Sequence, residues 1–325
     1  MRHGIAIPAD CPARFSLDYP RRSSKNGHVR TCVIFNPTAK GDKARYFRRH
    51  LDTIGAECAL KQTAAAGGAR PLAAEAVREG FQVVVAAGGD GTLNEVLNGI
   101  GDEPGGFDRI CLGVLPLGTV NVFAKELRIP SRLPGAWEVI RSGTESRIDL
   151  LQVEYVREGA PARHYFAQLA GAGLDARAIE LVNWELKKKV GPLAYIWAGF
   201  AALRGPLPRI TATAAEHSAT GELVLIGNGR YYGGRYPVFP RADLRNGKME
   251  VCVFPRTNWL TLLRCARMFA FGADLPASAA KAFATERLTL TSPTEAPLEV
   301  DGELIGHLPA SFTIERQKLR VIVPG

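Results

Sequence analysis

The run Phe81-Gln82-Val83-Val84-Val85-Ala86-Ala87 leads directly into Gly88-Gly89-Asp90-Gly91-Thr92 and then into Leu93-Asn94-Glu95-Val96-Leu97-Asn98. The first segment is mostly apolar and β-branched, as a buried strand requires, and the last fits a helix. Strand, glycine loop and helix in that order present backbone N–H groups and a helix N-terminus to an anion. The glycines let the chain turn and approach the anion with no Cβ in the way. Thr92 and Glu95 have the spacing of a capping box, which predicts a helix that starts there. Asp90 is the anomaly: a carboxylate among phosphates repels them unless a cation lies between, so the loop points to phosphate held through Mg²⁺. A plain tight turn with Asp90 as turn former is the competing reading of the same residues.

Two further loops favour the phosphate site. Thr31 to Phe35 and Ile110 to Leu115 repeat the strand signature. They are followed by Asn36-Pro37-Thr38-Ala39-Lys40-Gly41 and by Pro116-Leu117-Gly118-Thr119-Val120-Asn121. A weaker strand, Glu57 to Lys61, is followed by Thr63. Helical stretches at Lys43 to Ile54 and Ala69 to Glu79 alternate with these strands. This rhythm, from Val33 to about Ile148, predicts a parallel sheet with helices on both faces. In such a sheet the carboxyl ends of the strands share one edge, where ligands bind. Neither G-x-x-x-x-G-K-[ST] nor G-x-G-x-x-G occurs, and protein-kinase signatures are absent.

The rhythm breaks at Ile129-Pro130-Ser131-Arg132-Leu133-Pro134-Gly135. After one more helix, Trp137 to Arg141, short strands dominate: Ile148 to Val156, His164 to Leu169, Leu207 to Ala214, Glu222 to Ile226, Lys248 to Phe254, Arg287 to Thr291, Leu298 to Asp301 and Ser311 to Ile314. That pattern predicts an antiparallel sandwich, interrupted by helices at Ala178 to Leu203 and Trp259 to Phe271. The expected division is a mobile tail over 1–29, an α/β nucleotide-binding domain over 30–147 and a β-rich domain over 148–325, with the last strands able to return to the first domain.

The chain has 325 residues, 46% of them hydrophobic, and a formal net charge of +9. Such a balance favours anionic partners such as a nucleotide or an anionic lipid surface. No dense Lys/Arg run with interleaved aromatics occurs, so nucleic acid is not expected. Cys11, Cys32, Cys58, Cys111, Cys252 and Cys265 are dispersed with no C-x-x-C pair, as in a reduced cytosolic protein. No signal-peptide pattern opens the chain, and no run of about 20 uncharged apolar residues spans a bilayer. Val190 to Leu203, flanked by Lys187-Lys188-Lys189 and Arg204, reads first as a core helix and second as a segment lying at a bilayer interface.

GGDGTLNEVLNG, with NPTAKG before it and LGVLPLGTVNVFAKEL after it, resembles the diacylglycerol kinase catalytic family, nearest to the bacterial lipid kinases related to sphingosine and ceramide kinases. The resemblance runs from about Arg30 to the C-terminus. It includes Arg147-Ile148-Asp149-Leu150, Tyr165 to Asp175, Gly227 to Gly234 and Glu299-Val300-Asp301-Gly302-Glu303. It implies an ATP- and Mg²⁺-dependent kinase that phosphorylates diacylglycerol or a related lipid alcohol, cytoplasmic and transiently at a membrane, with a homodimer left open.

The resemblance also implies roles. Glu303 of the Asp301-Gly302-Glu303 turn is the proton acceptor, with Asp301 and Asp90 beside it in the catalytic set. ATP contacts carry over as Asn36, Thr63, Gly88, Gly89, Asp90, Gly91, Thr92, Leu93, Asn94, Gly118 and Thr119, although Asn94 and Asn121 can instead cap their own helices. Asp90 and Asp149 are the acidic residues of the Mg²⁺ network. Two departures stand out. Asn121-Val122 replaces the family's Asn-Asp, and the family's auxiliary metal loop reads Asp243-Leu244-Arg245-Asn246-Gly247-Lys248 here, with Asn246 in place of an Asp and a backbone contribution at Lys248. Two alternatives follow: a soluble-metabolite kinase of the NAD kinase type, or a nucleotide or lipid sensor that has lost its chemistry.

Overall fold

The computed structural model describes residues 23–24, 27–37, 39, 41–181, 203, 205–234, 236–261 and 279–325. All but Leu203 of the segment Val190 to Leu203, most of the expected Trp259 to Phe271 helix and nearly all of the N-terminal tail lie outside the described residues. A short hairpin, β1 (Ser23–Ser24) and β2 (Gly27–His28), precedes the first domain.

That domain alternates as its sequence rhythm requires. β3 (Thr31–Phe35) is followed by α1 (Asp42–Arg48) and α2 (Leu51–Gly55), then by β4 (Ala59–Gln62), α3 (Ala69–Arg78), β5 (Val83–Gly88), α4 (Asp90–Asp102), α5 (Gly106–Arg109), β6 (Cys111–Pro116), α6 (Val122–Glu126) and α7 (Leu133–Ser142). The helix expected over Lys43 to Ile54 is two helices, parted at Arg49 and His50. The strands run parallel in the order β4-β3-β5-β6. Every residue of β5 and β6 is buried, the mark of strands covered on both faces. α4 buries Leu93, Val96, Leu97 and Ile100, one helical face at 3.6-residue spacing.

The register sets the ligand edge. Phe35 is opposite Gln62 and Ala87, and Gly88 is opposite Pro116, so all four strands end level. The chain leaves β3 for β4 on one side and returns to β5 on the other. The strand order therefore reverses between the Asn36 loop and the Gly88–Gly91 loop, where doubly wound sheets open a crevice.

The second domain is built from β7 (Thr144–Arg157), β8 (Ala160–Phe166), β9 (Leu169–Gly173), α8 (Leu174–Leu181), β10 (Ile210–Thr213), β11 (Ser218–Gly221), β12 (Leu223–Gly227), β13 (Met249–Phe254), β14 (Lys281–Thr285), β15 (Arg287–Thr291), β16 (Pro297–Val300) and β17 (Glu303–Val323). One layer runs β14-β13-β12-β9-β16, and the other joins β10, β11, β15, β17, β7 and β8. Leu151, Val153, Phe166, Val224, Val251, Leu290, Leu298 and Phe312 fill the space between them. The sequence pattern missed β9, β11 and β14, and it divided β17 into fragments. β17 is one 21-residue strand, because register shifts between His307 and Ala310 and between Glu315 and Leu319 absorb the residues that break its alternation. It starts at the Asp301-Gly302-Glu303 turn and ends in the first domain, where Val321 pairs in parallel with Leu112 of β6.

Among the described residues no helix is long and apolar enough to cross a membrane. Cys32, Cys58, Cys111 and Cys252 form no disulfides, and burial pushes Cys32 up to about 11 and Cys58 and Cys252 up to about 12.

Candidate active site

The two glycine loops touch. Leu117 and Gly118 donate N–H groups to the Gly88 carbonyl at 2.9 and 3.1 Å. A Cβ on Gly118 would lie 2.5 Å from the Gly89 Cα, so only glycine permits this approach. Asn121, in the left-handed region at φ 53, stitches its own loop: its Oδ1 accepts from Gly118 N at 3.1 Å and its Nδ2 donates to Gly118 O at 2.6 Å. It provides no side-chain cap to α6. That part is taken by Asp90, whose Oδ1 accepts the Val122 N–H at 2.8 Å, supported by the backbone of Asn121 and Phe123. Burial raises the Asp90 pKa, while these N–H groups and the nearby Lys125 oppose the rise.

The capping-box expectation is corrected. α4 begins at Asp90, with Gly89 at its N-cap and no side-chain cap bond. The Thr92 side chain folds back to the space where a Cβ on Gly88 would stand. Glu95 reaches sideways to α3 instead, accepting from Gly67 N at 2.9 Å and Ala69 N at 2.8 Å. An orphan helix N-terminus in the neighbouring element outbids the local one, because α3 has no side-chain cap of its own. This bond ties the segment after Thr63 to α4. Thr63 is buried beside β3, its N–H donating to Phe35 O at 2.9 Å. Asn36 follows β3 at the same level, and Thr119 is exposed beside Gly118.

Asn94 caps nothing. Its Nδ2 donates to Asp301 Oδ2 at 3.2 Å, and its Oδ1 lies 2.7 Å from His164 Nε2. Asp301 is saturated: Oδ2 also accepts Ala167 N at 3.1 Å, and Oδ1 accepts Gln168 N at 3.2 Å and Leu169 N at 3.0 Å. Its φ of 47 fits a forced turn held by these donors. The arrangement makes Asp301 an anchor of the turn, with its oxygens directed at the protein. The next carboxylate points to the loop. Glu303 Oε1 lies 2.7 Å from where a Cβ on Gly91 would be. The residue's stem is exposed, but its carboxyl packs on the loop. Burial first, and the charges of Glu95 and Asp301 next, push its pKa up to about 7.

The acidic residues of the other expected metal positions are held by backbone N–H groups. Asp149 is fully buried; its Oδ2 accepts Gly247 N at 2.6 Å and its Oδ1 accepts Gln317 N at 2.8 Å. Both oxygens of Asp149 are thus engaged by backbone N–H groups. In the expected auxiliary loop, Asp243 Oδ1 accepts Arg245 N at 3.0 Å and Asn246 Oδ1 accepts Lys248 N at 2.9 Å. These oxygens close turns of their own loop, as Asx residues do in loops generally. Among the described residues no group of three or more His, Cys, Asp or Glu is arranged to hold a metal ion. Asp149 spends both its oxygens on backbone N–H groups, and Asp243 and Asn246 each spend one on their own loop. Asp90 stands in the glycine loop itself, where it would meet an ion carried mainly by phosphate oxygens and water.

Sequence reasoning missed the residues that join the domains. Asn98 Nδ2 donates to Tyr165 O at 2.9 Å and its Oδ1 accepts Tyr165 N at 2.8 Å. Burial lowers His164 to about 4, so the ring is neutral. Glu126 accepts Arg230 N at 2.9 Å and Arg230 Nε at 3.0 Å. The available signal was a polar residue inside an apolar run, such as Asn98 in Leu97-Asn98-Gly99-Ile100, but such a residue does not name its partner.

The model of the diacylglycerol kinase catalytic domain matches residues 30–153. The model of the YegS C-terminal NAD kinase beta sandwich-like domain matches residues 168–323. Diacylglycerol kinases of Staphylococcus aureus strains RF122 and MRSA252 are each 31% identical over 308 residues, covering 91% of this chain and 93% of theirs. A solved structure of a diacylglycerol kinase from Bacillus anthracis str. Sterne superposes with a TM-score of 0.70 at 19% identity, covering 91% of this chain and 97% of its own, which shows the shared fold. Two-domain architecture, glycine loop and sequence identity over nearly the whole length agree: this chain belongs to the diacylglycerol kinase family of lipid kinases.

Proposed function

We propose that this protein transfers the γ-phosphoryl group of ATP, supplied with Mg²⁺, to the hydroxyl of diacylglycerol or a related lipid alcohol at a membrane surface. The observation that carries the reading is Glu303, whose carboxyl rests on Gly91 of the glycine loop with a pKa pushed up to about 7. A general base works best with a pKa near the working pH. The alcohol proton passes to Glu303, the alcohol oxygen bonds to the γ-phosphorus, and the bond from that phosphorus to the ADP oxygen breaks. Backbone N–H groups around Gly88–Gly91 and at Thr119 hold the phosphates, and Asp90 would face the cation that arrives with them. Leu304, beside Glu303, is 43% exposed and offers an apolar surface at the mouth. The net charge of +9 favours an anionic membrane.

The test is radiolabelled ATP and Mg²⁺ with a panel of lipid alcohols in detergent micelles and with NAD, the products identified by mass spectrometry. Labelled phosphatidic acid, with none from NAD, is the expected result. Labelled NADP alone moves the protein to the soluble-metabolite kinases, a reading favoured by the NAD kinase beta sandwich-like match of the second domain. ATP binding without turnover on any substrate leaves a sensor.

A further inference from the structure

Beneath the Asp301–Glu303 turn two acids, buried Glu299 and half-buried Asp175, meet through buried carboxyl oxygens that the proposed reaction does not use. Glu299 on β16 is fully buried and stands opposite Gly171 of β9 in the sheet register. Asp175, on the first turn of α8, reaches the same spot. Asp175 Oδ2 and Glu299 Oε1 both crowd the space where a Cβ on Gly171 would be, the Glu299 oxygen at 2.8 Å, so a glycine is needed there to make room. Each of these two oxygens is buried and has no donor from any other group. Their companions are satisfied: Asp175 Oδ1 accepts from the Tyr232 hydroxyl, and Glu299 Oε2 accepts the Gly302 N–H at 2.9 Å.

Two carboxylate oxygens face to face in a dry site are both acceptors and repel each other. One proton between them turns the contact into a hydrogen bond. We infer that Glu299 and Asp175 share one proton, and that the pair so neutralised is a positioning element that fixes Gly302, and through it Glu303, over the glycine loop. Burial and the Asp175 charge raise the Glu299 pKa well above its ordinary value, in the direction this arrangement requires. The two residues are not catalytic: neither touches the glycine loop, and Glu299 acts through the backbone of Gly302. The same pair ties α8 and the Tyr232 segment to the turn, so one buried proton links three elements.

The inference rests on the kinase reading for its consequence but not for its proton. Glu299→Gln keeps the geometry: the amide oxygen accepts Gly302 N–H and the amide nitrogen donates to Asp175 Oδ2, with no shared proton needed. Glu299→Ala removes both bonds. Infrared spectra of the whole protein, taken well above pH 7 where Glu303 is ionised, should show a protonated-carboxyl stretch that is absent from Glu299→Gln. Turnover by Glu299→Gln should stay within about twofold of wild type. Glu299→Ala should lose roughly tenfold or more in kcat, with a smaller change in KM for ATP, as expected for a misplaced base. A wild-type spectrum with no such band, or a Glu299→Gln variant as impaired as Glu299→Ala, overturns the inference. A wild type inactive on every lipid alcohol counts against the kinase reading alone, because the infrared comparison is made without turnover.

Discussion

Glu303 combines exposure of its stem with crowding of its carboxyl, and two predictions of opposite sign follow. Its proton is held more tightly in the native state than in the unfolded chain, since the pKa rises from 4.5 to about 7. Stability therefore falls as pH climbs from about 4.5 to about 7 and stays lower above that range. Glu303→Gln cannot ionise, so its Tm should exceed wild type above pH 7 and meet it below 4.5, read by calorimetry at both ends. The same substitution should cost about 10²–10⁴-fold in kcat, the value of a general base. Wild-type kcat/KM should rise with pH through about 7 as the carboxyl becomes a base. Asp90 separates differently. Asp90→Asn keeps an oxygen to accept the Val122 N–H, so its Tm should match wild type while phosphoryl transfer is lost. Full activity in Asp90→Asn would reduce Asp90 to an anchor of α6.

At the scale of elements, α4 is both the wall of the phosphate loop and the contact with the second domain. Its first turn carries Asp90 and Gly91, and its next turns carry Asn94, Glu95 and Asn98, each bonded to a different neighbour. Asn98→Ala strands the Tyr165 N–H in a buried place and should cost about 1–3 kcal/mol, measured by denaturant unfolding. Because the lost bond is between domains, the expected kinetic signature is a fall in kcat beyond what the lower stability explains at a temperature where the variant is fully folded. Glu95→Ala releases the N-terminus of α3 and should cost about 1 kcal/mol, the value of a lost cap. It also removes one of the charges that raise the Glu303 pKa, so the acid limb of the kcat/KM profile should move to lower pH.

For the whole molecule, β17 is the beam that places Glu303, the proposed base, from one domain over the glycine loop of the other. Its last residues bury Leu319, Val321 and Ile322 in the first domain's core and carry Arg320, which pairs with Glu145 at 2.7 Å. Gln317 also supplies one of the two N–H groups on Asp149. Removing residues 317–325 leaves every motif of the glycine loops and the Asp301–Glu303 turn in place. It nevertheless forfeits about 5–9 kcal/mol of apolar burial at roughly 1.5–3 kcal/mol per side chain. That is as large as the whole stability of an ordinary domain, about 5–15 kcal/mol. The truncated chain should be insoluble or unfolded by circular dichroism, and a folded, active product would show that the first domain does not need its borrowed strand.

The sequence by itself determined the two-domain architecture, the parallel sheet of the first domain and the glycine loops that follow its strands. These rest on local periodicity and on residues whose backbone demands are local. It also named the family, because an ordered set of motifs is a property of the chain. The tertiary structure alone decided which polar atoms meet. Glu95 satisfies α3, not its own helix, Asp90 caps α6, and Asp149 sits with Gly247, because a hydrogen bond goes to the donor that folding brings within 3 Å, whatever its distance along the chain. β17 stayed hidden for a similar reason: its bulges erase the two-residue alternation by which a strand is recognised, and only the partners on either side restore its continuity.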